Sequence, residues 1–276
     1  MKISSPSQGS VRLFLVVLVL AAGSGGCVTR GSGPAGNSKA AALASVHESY
    51  RKEFAAVALP GPSQRPLAPT NEQAFQRTIA AINEFRKTHG TEGAEAAHLS
   101  VVEGMAYLQS GQIGRARLMR EEIKQAAPKL RAGNGSYTRD ELLARSFEPL
   151  LMGWEQVRNA APGSDVNPSS AQFKQAADGL EKNLTSLDSR RLAAPEVDAG
   201  AAYLATSSAI FRVWYGSMQR SQKAAAHQQG ATLISRFLSA EEKQAAEAGD
   251  AAQLSTSRQR FVAWYRFLRQ TAPPES

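Results

Sequence analysis

Apolar residues recur at three- and four-residue spacing through most of the chain beyond residue 38. Phe75, Ile79, Ile82 and Phe85 make one stripe, and Leu143, Phe147, Leu150, Trp154 and Val157 make a second. Phe173, Ala177, Leu180, Leu184 and Leu187 make the cleanest of the three. This is the period of an amphipathic α-helix with one face in a core. Start signals accompany the pattern. Thr70 with Gln73, Thr138 with Glu141 and Ser239 with Glu242 each read as a capping box, in which two side chains satisfy the first backbone N–H groups reciprocally. Pro149 lies inside the second stripe and predicts a kink about one turn upstream. Breaks fall at the Pro-rich residues 59–69, at Gly133-Asn134-Gly135, at residues 162–168, at Pro195 and at Gly249. No alternating run of Val, Ile and Thr follows residue 38. The chain is therefore predicted to be all-α, with about eight to ten helices.

The first 27 residues have a different pattern. Lys2 and Arg12 precede a short apolar run from Leu13 to Ala22, and small residues lead from there to Cys27, the only cysteine. The run is shorter than the ~20 residues a spanning helix needs, and it reads as an export signal. The segment resembles a bacterial lipoprotein signal, with Gly25 and Gly26 in the small positions and Ser24 where the family usually has Leu. The resemblance implies cleavage after residue 26, lipidation of Cys27 and attachment to a membrane through that lipid. Val28, rather than Asp, after the cysteine implies the outer membrane. Residues 27–38 are rich in Gly and Ser and read as a flexible tether. A first helix and Pro-rich linker are expected over 39–69, a helical region over 70–160 and a C-terminal helical region over 161–276.

Within the middle region, residues 97–130 resemble one tetratricopeptide (TPR) repeat. Gly104 takes the small position of the first helix, and Tyr107 follows it. Gly111 falls at the turn, Ala116 at the small position of the second helix and Pro128 at its end. Ser100 and Arg120 stand where the family has an apolar and an aromatic residue. The preceding helix echoes the pattern at Ala81 and Phe85. Isolated repeats of this kind cannot bury their faces, so neighbouring helices must complete the stack. The fold expected is antiparallel helix pairs, as a TPR-like solenoid or a helical bundle. The resemblance implies protein–protein interaction, with Tyr107, Gln109 and Arg115 as candidate edge residues of a groove.

A second echo is F-x-x-W-Y at Phe211–Tyr215 and at Phe261–Tyr265. Each reads either as an aromatic anchor for a peptide or as core packing. The last helix carries Arg258, Arg260, Arg266 and Arg269 beside Phe261, Trp264 and Phe267, with no acidic residue from Ala251 to Pro274. Arg258 and Trp264 are therefore further candidates for partner contact, against the alternative of a terminal core helix with a solvated basic face.

Charge and chemistry narrow the function further. The chain carries +8, and loss of Lys2 and Arg12 with the signal lowers this to +6. No stretch interleaves basic and aromatic residues as a base-stacking surface would, so no nucleic-acid partner is expected. The histidines are His47, His89, His98 and His227, none at i, i+4 spacing to another. His89 and His98 flank a loop, but a surface or capping role is expected for them. No metal, cofactor or catalytic residue is expected, since no Walker loop, nucleophile elbow or H-E-x-x-H motif is present. The reading is an outer-membrane lipoprotein that scaffolds an envelope assembly through a protein partner. A cell-wall-binding or cell-wall-modifying periplasmic protein is the alternative.

Overall fold

The computed structural model describes residues 34–56, 71–131, 138–159, 170–187, 195–250, 252, 254 and 256–270. Eleven α-helices and no strand occur among them. They are α1 (Pro34–Ala55), α2 (Gln76–His89), α3 (Ala94–Gln109), α4 (Ile113–Leu118), α5 (Arg120–Ala126), α6 (Arg139–Asn159), α7 (Ser170–Thr185), α8 (Pro195–Met218), α9 (Lys223–Ser235), α10 (Ala240–Ala248) and α11 (Thr256–Gln270). The fold is all-α, as the apolar period predicts. The helix count exceeds the expectation because α4 and α5 are one predicted helix interrupted at Met119. There the amide of Met119 bonds Ala116 O at 3.0 Å, a tight 3₁₀-type link, before Ile123 bonds Met119 O at 2.9 Å.

Two helix starts differ from the sequence reading. Helix α1 begins at Pro34, inside the stretch expected to be tether. Proline suits a first helical position, because its φ is preset and its missing N–H would have no helical partner there. Helix α2 begins at Gln76, and Thr70 lies outside the described residues. The cap comes from another helix. Glu53 on α1 accepts from Arg77 N at 3.2 Å, from Thr78 N at 2.9 Å and from Thr78 Oγ1 at 2.6 Å. A carboxylate at a helix N-terminus satisfies orphan N–H groups and complements the helix dipole. Phe75, just before α2, is left-handed at φ 65°, which is strained for an aromatic residue. Its ring is buried, 5.4 Å from that of Tyr50.

The other start signals fit better. Ser239 and Glu242 form a complete capping box on α10. Thr138 Oγ1 accepts from Glu141 N at 3.0 Å, while the Glu141 side chain turns instead to Arg145 Nε at 3.0 Å.

Consecutive helices pack in pairs: α1 on α2, α3 on α4 and α5, α6 on α7, and α8 on α9. The first helices of the pairs also touch in a row, α1 with α3, α3 with α6 and α6 with α8. Helices α10 and α11 close the end, α11 resting on α9. The stacking thus runs without a break across residue 160, where the two helical regions were expected to meet. Among the described residues no helix is long and apolar enough to cross a membrane.

The predicted stripes form the core. Phe147, Leu150, Trp154, Phe173, Leu180 and Leu184 are each at most 1% exposed. Burial of such side chains contributes about 1.5–3 kcal/mol apiece. Trp154, Phe173, Phe211 and Trp214 make an aromatic cluster, with ring centroids 5.1 Å apart for Trp154–Phe211 and 5.9 Å for Trp154–Trp214. Gly153 admits the Phe211 ring, which a Cβ there would strike. Gly179 lets α7 approach Pro149 in the same way, since a Cβ would lie 2.9 Å from the proline ring.

Candidate functional site

The segment that resembles a TPR repeat forms a helix hairpin. Ser110, Gly111 and Gln112 turn the chain between α3 and α4, with Gly111 at φ 82°. Gly104 lies in the interface, and a Cβ on it would collide with Ile123 of α5 and come within 3.2 Å of the Phe147 ring. Ala116 is fully buried, and Pro128 sits in the 3₁₀ turn Ala127–Leu130 that ends α5. The two departures from the repeat pattern have partners. Ser100 donates to Ala96 O at 2.9 Å and to Glu122, and Arg120 pairs with Glu148 at 2.8 Å.

A cleft of about 490 Å³ opens between α2 and the hairpin turn, lined by Gln76, Ile79, Asn83, Tyr107, Gln112 and Arg115. The Arg115 guanidinium lies 5.5 Å from the centre of the Tyr107 ring, a cation–π arrangement. Tyr107 donates its hydroxyl proton to Glu103 Oε1 at 3.0 Å, and Glu103 pairs with Arg86 at 2.7 Å. Burial and the Glu103 charge raise the Tyr107 pKa, so the phenol keeps its proton at neutral pH. Leu118, one turn beyond Arg115 on α4, is 83% exposed.

A buried polar network runs along the row of first helices. On α1, Tyr50 donates to Gln109 Oε1 of α3 at 3.0 Å, and the Arg139 guanidinium of α6 stands 5.2 Å from its ring centre. Arg139 donates to Asp140 Oδ1 from Nε at 3.2 Å and from Nη2 at 3.1 Å. The other carboxylate oxygen of Asp140 faces His98 Nδ1 at 2.7 Å and His47 Nε2 at 3.2 Å. Burial alone would raise the Asp140 pKa, but the two imidazoles and Arg139 outweigh it and hold the carboxyl far below its ordinary range. Burial pushes Tyr50 well above the usual phenol value and Tyr203, on α8, up to about 12.

The structure corrects several candidate assignments. Gln109 is 2% exposed and committed to Tyr50, so it lines no groove. Trp264 is fully buried, and Phe211, Trp214 and Phe261 are at most 5% exposed, which makes both aromatic echoes core packing. Arg258 is engaged by Glu242 and by Phe237 O at 2.8 Å, so it ties α11 to α10. Its charge, with the Ser239 amide, outweighs burial and lowers the Glu242 pKa. Tyr107 and Arg115 remain together at an open cleft, while Cys27 lies outside the described residues. His98 meets His47 and Asp140 rather than His89. Periodicity could not reveal that cluster, because its members come from three helices separated by long stretches of chain. Comparison of the chain with protein-family models, curated proteins and solved structures returns no match.

Proposed function

We propose that the protein is an outer-membrane lipoprotein, anchored at Cys27, whose helix pairs scaffold a cell-envelope assembly by binding a protein partner. The observation that carries this reading is the cleft between α2 and the α3–α4 turn. It offers an arginine stacked on a tyrosine, with an exposed leucine one turn away. Aromatic and arginine side chains flanked by apolar surface are the usual anchors of protein interfaces. The row of first helices α1, α3, α6 and α8, each backed by a partner helix, is the packing that a solenoid of helix pairs requires. Fold-level analogy alone would not assign a role.

The test is a photo-crosslinking residue placed at Arg115 of the full-length protein in its own cells, with Lys174 on α7 as a control position. One envelope protein joined at Arg115, absent at Lys174 and lost in Tyr107→Ala, is the expected result. Equal labelling at both positions, or glycan as the only product, would overturn the scaffold reading. In parallel, Cys27→Ala is expected to move the protein from the membrane to the soluble fraction.

A further inference from the structure

His47 on α1, His98 on α3 and Asp140 on α6 each offer one ligand atom, and these atoms all lie within 4.8 Å of one another. The imidazole rings stand 5.7 Å apart at 67°, so their planes do not stack, and they turn different nitrogens, Nε2 of His47 and Nδ1 of His98, towards Asp140 Oδ2. Simple hydrogen bonding accounts for only half of this. His98 makes a good contact at 2.7 Å. His47 Nε2 is buried and faces the carboxylate oxygen at 3.2 Å, an ion-pair distance, without a well-aligned hydrogen bond. A buried imidazole nitrogen held only loosely by its carboxylate, with a second imidazole nitrogen within 4.8 Å, leaves a place for a shared cation.

The distances suit a small cation. Bonds of 2.0–2.1 Å in a tetrahedron place neighbouring ligand atoms about 3.3 Å apart. The His47–Asp140 distance of 3.2 Å meets that already. The His98–Asp140 distance of 2.7 Å has to open by about 0.6 Å, which a small rotation of the partly exposed His98 side chain supplies. The surrounding shell is also built. Arg139 holds Oδ1 with two hydrogen bonds, which fixes the carboxylate plane and leaves Oδ2 facing the imidazoles. The Asp140 side chain is 4% exposed, whereas His47 and His98 are 29% and 28% exposed, so an ion can arrive from solvent and keep a water.

The donor set selects the metal. Arg139 offsets the single carboxylate charge, so binding depends on the imidazole nitrogens. That disfavours Mg²⁺ and Ca²⁺, which need several oxygens, and favours Zn²⁺ and its neighbours. We propose that His47, His98 and Asp140 bind one divalent transition-metal ion of the Zn²⁺ class, which clamps α1 to α3 and α6. This site is independent of the cleft and of any protein partner.

The experiment uses the full-length chain without a histidine tag, stripped of metal and titrated with Co²⁺, whose visible absorption reports coordination geometry. Zn²⁺ affinity then follows by competition with a chromophoric chelator. Expected are one equivalent of Co²⁺ with intensified visible bands, displacement by Zn²⁺ but not by Mg²⁺ or Ca²⁺, and a melting temperature raised by Zn²⁺. His47→Gln and His98→Gln are each expected to weaken Zn²⁺ at least about tenfold, and His89→Gln to leave it unchanged. Unchanged far-UV circular dichroism would show that the variants fold. Absence of cobalt bands in the wild-type protein would overturn the site. So would equal affinity in the wild-type and the His47→Gln, His98→Gln double variant.

Discussion

The two ends of the helix row are held together by different means. Around α6, α7 and α8 the buried contact is mainly apolar, with Trp154, Phe173, Phe211 and Trp214 interlocked, Gly153 admitting Phe211 and Gly179 admitting Pro149, while Arg212 pairs with Asp178 at the rim. Around α1, α2 and α3 polar groups from different helices complete one another. Glu53 caps α2, Tyr50 reaches Gln109, and Asp140 gathers Arg139, His47 and His98. Apolar packing is non-directional and tolerates several arrangements of similar volume. A buried polar network has one satisfied geometry. The polar end is therefore where this molecule holds side chains in fixed positions beside solvent, and both the open cleft and the histidine cluster lie there.

The contrast has measurable consequences. Trp154→Ala removes the fully buried tryptophan of the aromatic cluster and is expected to destabilise by about 3–5 kcal/mol, read from chemical denaturation. Tyr50→Phe keeps the ring against Phe75 and deletes only the bond to Gln109. It is expected to cost about 0.5–1.5 kcal/mol by the same measurement. A loss as large as that of Trp154→Ala would mean that the hydroxyl organises more than one bond. The smallest effect concerns the Glu242–Arg258 pair beyond the aromatic cluster. Glu242 has a lowered pKa in the fold, so its contribution is present above the ordinary carboxyl value of about 4.3 and is lost as pH falls below it. The difference in melting temperature between wild type and Glu242→Gln is expected to be present at pH 7 and to shrink steadily as the pH falls below the ordinary carboxyl range. A difference that persists in acid would show that the pair acts by shape and not by charge.

How far each end was legible from sequence follows from the same contrast. The stripes through Phe147 and Trp154, and through Phe173 and Leu184, are local periodicities, and they gave the apolar core directly. The Ser239–Glu242 box is equally local, and it formed as expected. Glu53 capping α2, by contrast, joins residues over twenty positions apart, which no local pattern shows. His98 was expected, with His89, to have a surface or capping role. Its partners are His47 and Asp140, which only the packing of α1, α3 and α6 brings near. Of the two readings of the basic last helix, the terminal core helix fits, because Trp264 and Phe261 face inward and Arg258 has a carboxylate one helix away. Tyr107 and Arg115 were visible because a single hairpin carries both, and Gln109 failed because its α3 face turns towards Tyr50.

Helix α1 is held mainly by polar contacts that the aromatic cluster does not supply, although α6 serves both ends and Phe54 of α1 meets Tyr203 of α8 at 5.4 Å. Native-state hydrogen exchange on the full chain, comparing wild type with Trp154→Phe, tests it most directly. If α1 opens while α6, α7 and α8 stay packed, the substitution lowers protection in α8 and leaves that of α1 unchanged. Equal loss of protection in α1 and α8 would show one cooperative unit and contradict the account.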